Sequence, residues 1–410
     1  MVHGGLGWRK RPEWDNVWAD MSAHAEATGR SRLEAALSHR EPDRVPFDLG
    51  SCAVTGINIR ALRRLRAALG LAGEPELWDP VTQLARTGEE VGRLLRVDVL
   101  GVTPRPPSSP GLYRDEGLVG DHYRITDEMG IGWHMPKEGG HYYDLYKHPL
   151  ANAETARDIE SYPWPDPRDP SRFAGMGERA RKIAEREGKG LVLERMFAGM
   201  WETAIWLTGY EKFFCDMLQN QALVQALMEK MLELTCAYWE RALTEVGELP
   251  CVVSTADDLG TQTSLLVSPD LYRKLIWPYH RRLFQFLKKA SGGRARIFFH
   301  NDGAIMETIP LLIEAGVDIL NPFQVNCAGM DTARFKREFG RELTVWGGSC
   351  SPVTLQFGAP AEVREETRRR IDDLAPGGGF VFASIHIIQG DVPVENIMAW
   401  RETLDRHGVY

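Results

Sequence analysis

Several absences narrow this chain before any motif is found. No apolar run approaches the ~18 residues of a membrane span, so no transmembrane segment is read. The N-terminal stretch "MVHGGLGWRKRPEWDNVWADM" has no apolar h-region, so no signal peptide is read either. The six cysteines, at 52, 215, 236, 251, 327 and 350, form no CxxC pair. Together these predict reduced thiols in a cytoplasmic protein. Positive charge is in deficit: 49 Lys and Arg against 57 Asp and Glu leave a net charge of -8. That argues against nucleic acid as the main partner, because phosphate binding needs a basic surface. No short-period repeat, no low-complexity tract and no GxGxxG after a strand is found, so a dinucleotide-binding fold has no support.

What is present is one recurring unit: an apolar strand, a polar tip, a loop and a helix. Eight candidate strands lie at 44–50, 97–104, 190–199, 250–260, 295–303, 317–324, 343–350 and 378–388. Most are continuous apolar runs, the pattern of parallel strands buried on both faces. Helices fill the gaps. "SPDLYRKLIWPYHRRLFQFLKKAS" opens on a Ser and Pro start signal, with Pro278 expected to kink it. Residues 210–247 read as two helices that nearly abut. Eight strands with polar tips at most C-terminal ends predict a (β/α)8 barrel, an α/β fold of the TIM type. A doubly wound open sheet is the competing α/β reading. Residues 103–165, rich in Pro, Gly and aromatics, break the rhythm and read as an inserted hairpin or flap over the barrel mouth; a surface excursion with no role is the plainer alternative. The expected organisation is an N-terminal extension over 1–30 and a single barrel domain over 31–410.

In such a barrel the C-terminal strand ends converge on one pocket. His300 and Asp302, in "RARIFFHNDG", are two residues apart on an extended chain and point to the same side. With His386 of the last strand they form a His/Asp/His set suited to zinc or another divalent ion, with one position left for substrate. The plainer alternative is that His300 bonds a loop carbonyl and Asp302 caps the following helix. In "TADDLGTQ" adjacent carboxylates point oppositely, so one of Asp257 and Asp258 faces the pocket. Asp258 is expected to act as a base or a substrate hydrogen-bond acceptor. Glu194, an acid in an apolar strand, is expected to line the barrel as a catalytic residue that, like Asp258, orients substrate or supplies a further ligand, with structural pairing to Arg195 or another barrel cation as the alternative. Trp201, Gln262, Asn321 and Gln324 are the expected substrate contacts. Cys350 has no local activating group and reads as a buried, inert thiol.

The stretches "DDLGTQTSLLVSPDLYRKLI", "FFHNDGAIMETIPLLIEAGVDILNPFQ" and "VWGGSCSPVTLQFGAPAEVREETRRRIDDLAPGGGFVFASIHIIQGDVPVENI" resemble the uroporphyrinogen decarboxylase superfamily. The resemblance covers most of residues 30–407 and is densest after 250. It implies a (β/α)8 barrel with its site at the C-terminal face. One arm of that superfamily decarboxylates porphyrinogen acetate groups without a cofactor and carries an N-terminal motif of the type Met-Arg-Gln-Ala-Gly-Arg. Here the corresponding stretch is "RVPFDLGSCAVTGINIRALRRL", and the motif is absent. The other arm comprises zinc-dependent methyltransferases that work with corrinoid proteins. Its thiol-activating members use His-x-Cys after the fifth strand and a Cys on the last strand. This chain has His300, then Asp302 in place of the first Cys and His386 where the distal Cys would fall. Both soft ligands are replaced by harder ones. The resemblance therefore implies a metal acting as Lewis acid on an ether or alcohol oxygen, so that a methyl group can leave to cobalt(I).

The expected function is a metal-dependent methyltransferase or demethylase acting on a methoxylated or methylated small molecule, with a corrinoid protein as methyl acceptor or donor. Two alternatives stand beside it. One is a cofactor-free decarboxylase, which would need a basic pocket from Arg60, Arg63 or Arg64. The other is a tetrapyrrole- or corrinoid-binding barrel without catalysis. A homodimer through the barrel helices is a further expectation, although no residue pattern marks its interface.

Overall fold

The computed structural model describes residues 27–109 and 111–410, so most of the expected 1–30 extension lies outside the described residues. A small antiparallel sheet holds β1 (Ile57–Asn58), β2 (Leu77–Asp79) and β3 (Leu84–Ala85). The main sheet is parallel and holds β4 (Val99–Val102), β9 (Gly190–Leu193), β10 (Cys251–Ala256), β11 (Ala295–His300), β12 (Ile319–Asn321), β13 (Thr344–Trp346) and β14 (Phe380–Val381). Between β4 and β9 lie β5 (Tyr113–Val119), β6 (His122–Asp127), β7 (Gly132–Pro136) and β8 (Asp144–Lys147), which form a separate antiparallel sheet in that order.

The main sheet runs β4-β9-β10-β11-β12-β13-β14. The expected first strand closes it, in shortened form. Asp48 N donates to Phe382 O (2.9 Å) and Phe382 N to Pro46 O (2.8 Å) on one side. Asp98 N donates to Phe47 O (2.8 Å) on the other. Residues 46–48 are thus the eighth member of a TIM-type barrel, and β11 is its fifth strand. Their pairing is limited to these few bonds because Pro46 has no N–H and Phe47 N turns instead to the Asp98 carboxylate (2.9 Å).

The strands form where the chain is apolar on both faces. All six residues of β10 and all four of β9 are buried. Val99, Val192, Val252, Phe298, Ile319, Trp346 and Val381 form one buried cluster with one side chain from each strand of the main sheet. This is the packed barrel interior, and burial of each such side chain contributes about 1.5–3 kcal/mol. Leu33 of the helix Gly29–Leu37 joins the same cluster. Asp98, at the entry of β4, accepts from Arg44 (2.6 and 2.8 Å), Arg32 (3.1 Å) and Phe47 N, and so ties the closing segment to its neighbour.

Register places the strand ends together. Ala256 pairs with His300, and His300 with Asn321, so β10, β11 and β12 end at one level. The helix expected over 268–291 is two helices, Pro269–Leu275 and Trp277–Ala290, broken at Ile276 ahead of Pro278. The two helices expected within 210–247 are Tyr210–Gln219 and Gln221–Val246. The insertion is a four-stranded sheet, larger than a hairpin. It rests on the helix Met200–Thr208, through Trp133 edge-on to Trp206 (5.2 Å) and His148 Nδ1–H donating to Trp206 O (2.7 Å). Among the described residues, no helix is long and apolar enough to cross a membrane.

Candidate active site

His300 ends β11 and is 5% exposed. Its Nδ1 lies 2.7 Å from Asn321 Oδ1, while Asn321 Nδ2 donates to Trp346 O (2.7 Å). These two contacts settle the tautomer. A carbonyl only accepts, so Asn321 must turn its NH2 to Trp346 and its oxygen to His300. His300 Nδ1 therefore carries the proton, and Nε2 presents a bare lone pair. That lone pair faces Asp302 Oδ2 at 3.8 Å and Asp258 Oδ1 at 3.9 Å, with no hydrogen bond to either. His386 Nε2 lies 3.7 Å from the same Asp302 Oδ2. One donor atom from each of His300, Asp302 and His386 falls within 4.8 Å of the other two.

Electrostatics favour a cation in this space. Burial, then His386 and the Arg195 guanidinium, hold the His300 imidazole well below its ordinary range. His386 is pushed down in the same way, by burial first and Arg195 second. Asp302 is pushed well up, by burial and then by Asp258. Asp258 is raised to about 6, chiefly by burial, against the lowering effect of the hydrogen bond from Asp302 N (2.7 Å). The carboxylates resist ionisation for want of a sufficient positive partner, and imidazoles held neutral keep a lone pair free for a metal ion. The residues fit a divalent ion: Asp302 Oδ1 is buried without a hydrogen-bond partner, and the donor set is two imidazole nitrogens and a carboxylate, leaving room for a further ligand.

Local sequence explains the placement. Gly303 has φ +103° and packs so closely on Gly260 that an added Cβ would lie 2.4 Å from Gly260 C. The chain therefore turns immediately after Asp302. Asp302 does not cap the next helix; the following turn, Met306–Thr308, has Ile305 at its start.

The other expected residues divide. Asp257 and Asp258 diverge: Asp257 is fully buried, and Asp258 has a side chain 33% exposed beside His300. Gln324 Oε1 accepts from Gly303 N (2.6 Å), so its carbonyl is engaged with the turn after Asp302. Gln262 is an exposed loop residue whose carbonyl accepts from Ala328 N. Four expectations are corrected. Trp201 is 0% exposed, packed edge-on against Phe213 and Phe214, so it is core and not a pocket wall. Asn321 is 0% exposed with both amide atoms engaged, so it orients His300 and cannot contact substrate. His386 is not on the last strand, because β14 ends at Val381 and the chain bends before Ile388 pairs with Ile57. Glu194 sits at the end of β9 with its carboxylate filled by Ala53 N (2.7 Å), Ser254 Oγ (3.0 Å) and Arg195 (3.2 Å), which makes it an anchor for neighbouring strands. Cys350 is buried, and burial pushes its thiol up.

Glu202 escaped the sequence reading, and Arg195 entered it only as a partner for Glu194. Arg195 sits close enough to bias both histidines, and Glu202 adds a third carboxylate near Asp258 and Asp302. Burial, then Asp258 and Asp257, push Glu202 well up. Its signal was faint: an acid directly after the "FAGMW" turn, in the first turn of a helix.

A family model described as Uroporphyrinogen decarboxylase (URO-D) matches residues 118–407. The uroporphyrinogen decarboxylase of Alkalilimnicola ehrlichii is 26% identical over 380 residues, covering 89% of this chain and 90% of its own. That of Aeromonas salmonicida is 25% identical over 289 residues, covering 68% and 74%. Among solved structures, a methyltransferase from Methanosarcina mazei matches with a TM-score of 0.62 at 19% identity, covering 93% of this chain and 99% of that one. At that identity the likeness is one of fold.

Proposed function

The chain belongs to the uroporphyrinogen decarboxylase family, and from that premise we propose that it is a metal-dependent methyltransferase or demethylase. It acts on a methylated or methoxylated small molecule, with a corrinoid protein as methyl acceptor or donor. The observation that carries this reading is the bare His300 Nε2, aimed at Asp302 with His386 alongside.

His300, Asp302 and His386 would hold the ion, and zinc or another divalent ion held there would supply Lewis-acid polarisation of the atom that bears the methyl group. The chain's own residues do the rest. Asn321 keeps the Nε2 lone pair of His300 available by taking the Nδ1 proton as a hydrogen bond. Asp258 steadies the Asp302 backbone through Oδ1 and keeps Oδ2 to orient the substrate. Glu194 and Arg195 brace the floor between β9 and β10 through Ser254.

The test is metal analysis of protein purified without chelator. One equivalent of zinc or a related ion is expected, lost in His300→Ala together with methyl transfer. Metal-free protein whose behaviour is unchanged in His300→Ala would sink the reading.

The names of the curated relatives favour a second reading, cofactor-free decarboxylation. Against it, the arginines it needs are engaged elsewhere. Arg60 donates to Gly140 O (3.0 Å), Arg64 to Gly390 O (2.7 Å) and Val392 O (3.0 Å), and Arg63 pairs with Glu74 (2.6 Å). Carbon dioxide release from porphyrinogens separates the two readings.

A further inference from the structure

Three arginines converge at the C-terminal end of β4, on the mouth face of the barrel. Thr103, the residue after that strand, gathers two of them. Arg86 Nη1 donates to its hydroxyl (3.2 Å), and Arg179 Nη2 donates to its carbonyl (3.3 Å). Arg179 Nη1 donates to Ala174 O (2.8 Å), which holds the plane of that guanidinium. Arg105 belongs to the same loop as Thr103, in "TPRPP", where prolines on both sides restrict the backbone. Its N–H donates to Arg172 O (3.0 Å). Gly175 shows how close the second and third arginines come. A Cβ built there would lie 3.5 Å from Arg179 Nη1 and 4.0 Å from Arg105 Nη2, with no other atom beyond its chain neighbours within 4 Å.

Among the described residues, Arg86, Arg105 and Arg179 form no ion pair, and the Arg105 guanidinium has no hydrogen bond. The surrounding chain treats its other arginines differently. Arg172, 1% exposed, is held through two nitrogens by Glu128, and Arg168 pairs with Glu240 (2.7 Å). Asp169, which meets the Arg105 loop at Ser108, is spent on the N–H and hydroxyl of Ser108 (3.0 and 2.7 Å) and of Ser171 (2.9 and 2.7 Å). A chain of net charge -8 has acids to spare, yet none is placed within ion-pair distance of these three cations. Like charges so gathered repel, and partial burial strengthens the repulsion. Arg86, which lies over the Trp78 ring (4.3 Å), is held below its ordinary range by burial first; Glu76 and Glu194 oppose that shift and Arg179 adds to it. Arg179 is lowered too, by burial and then by Arg105.

We propose that Arg86, Arg105 and Arg179 form an anion-binding site that takes a phosphate group. A carboxylate would bring one negative charge to three cations. A phosphate brings about 1.5–2 charges and three acceptor oxygens, and a guanidinium fork matches its geometry. The site shares no residue with His300, Asp302 and His386, so it stands or falls independently of a metal there. Free phosphate and the phosphate of a larger ligand present the same group to the three arginines.

Inorganic phosphate and phenyl phosphate are titrated calorimetrically into the full chain, metal-free and zinc-loaded, with acetate as the singly charged control. Phosphate is expected to bind at least ~10-fold tighter than acetate, equally with and without zinc. Arg105→Ala should weaken phosphate by at least ~10-fold with an unchanged melting temperature, because this exposed side chain makes no internal hydrogen bond. Arg369→Ala, at another exposed arginine, should leave the affinity unchanged. Phenyl phosphate binding more tightly than phosphate assigns the site to an organic phosphate; phenyl phosphate binding no more tightly assigns it to the free ion, and either result supports the proposal. No phosphate binding, phosphate no tighter than acetate, affinity that survives Arg105→Ala, an equal loss in Arg369→Ala, or binding confined to the zinc-loaded protein overturns it.

Discussion

The Nδ1 of His300 lies 2.7 Å from the Oδ1 of Asn321, and that hydrogen bond decides which ring nitrogen faces the site. Asn321→Ala removes the acceptor and frees the imidazole to tautomerise or rotate. Zinc affinity is expected to fall by about 10–100-fold with the stoichiometry retained. Competition against a chromogenic chelator measures it; an unchanged affinity would separate Asn321 from the metal.

Asp302 is where a softer ligand would change the chemistry most. Asp302→Cys should preserve binding of zinc but add thiolate character. In the cobalt(II)-substituted protein, a sulfur-to-metal charge-transfer absorption should appear in the variant and be missing from the parent. If neither spectrum shows it, Asp302 does not touch the ion.

Asp98 neutralises two guanidinium groups at the closed end of the barrel, with side-chain exposures of 1% for Asp98, 9% for Arg44 and 6% for Arg32. Asp98→Ala leaves Arg44 uncompensated in a buried setting, although Arg32 keeps Asp43 (2.7 Å). A loss of about 3–5 kcal/mol in denaturant unfolding is expected. A change below about 1 kcal/mol would contradict the role assigned to this network.

Asp48, fully buried at the end of the closing segment, accepts from Ser51 Oγ (2.7 Å) and Trp346 Nε1 (2.9 Å). Burial outweighs these donors and raises its carboxyl from 3.8 to about 6. The folded state therefore binds the proton more tightly than the unfolded chain. The stability this contributes is complete below pH ~4 and is lost as pH rises through ~6, about 3 kcal/mol in all. Melting curves of the parent and Asp48→Asn across that window should differ in slope, with the parent losing more stability as pH rises. Parallel curves would refute the shifted carboxyl.

Much of the barrel could be read in advance because parallel strands buried on both faces are continuous apolar runs, and Gly190–Leu193 is such a run. The first strand was legible as a segment but not as a pairing, since Pro46 and the Asp98 carboxylate take bonds that a ladder would use. Trp201 misled because an aromatic residue near a strand end suits a pocket wall and a core equally well. Asn321 misled for a related reason: a polar tip looks the same whether it faces substrate or the back of a histidine. His280 and Tyr272 could not be found at all, because their partner Asp257 lies on another element and only packing joins them.

The amino-acid sequence by itself determined the strand order, the positions of the turns and the pairing of His300 with Asp302 on one side of an extended chain. These depend on local periodicity and on neighbours in the chain. Only the tertiary structure decided that His386 reaches Asp302, that Asn321 sets the His300 tautomer, and that Asp258 holds the Asp302 backbone. Those relationships depend on distances between residues far apart along the chain, which barrel closure creates and no local pattern encodes.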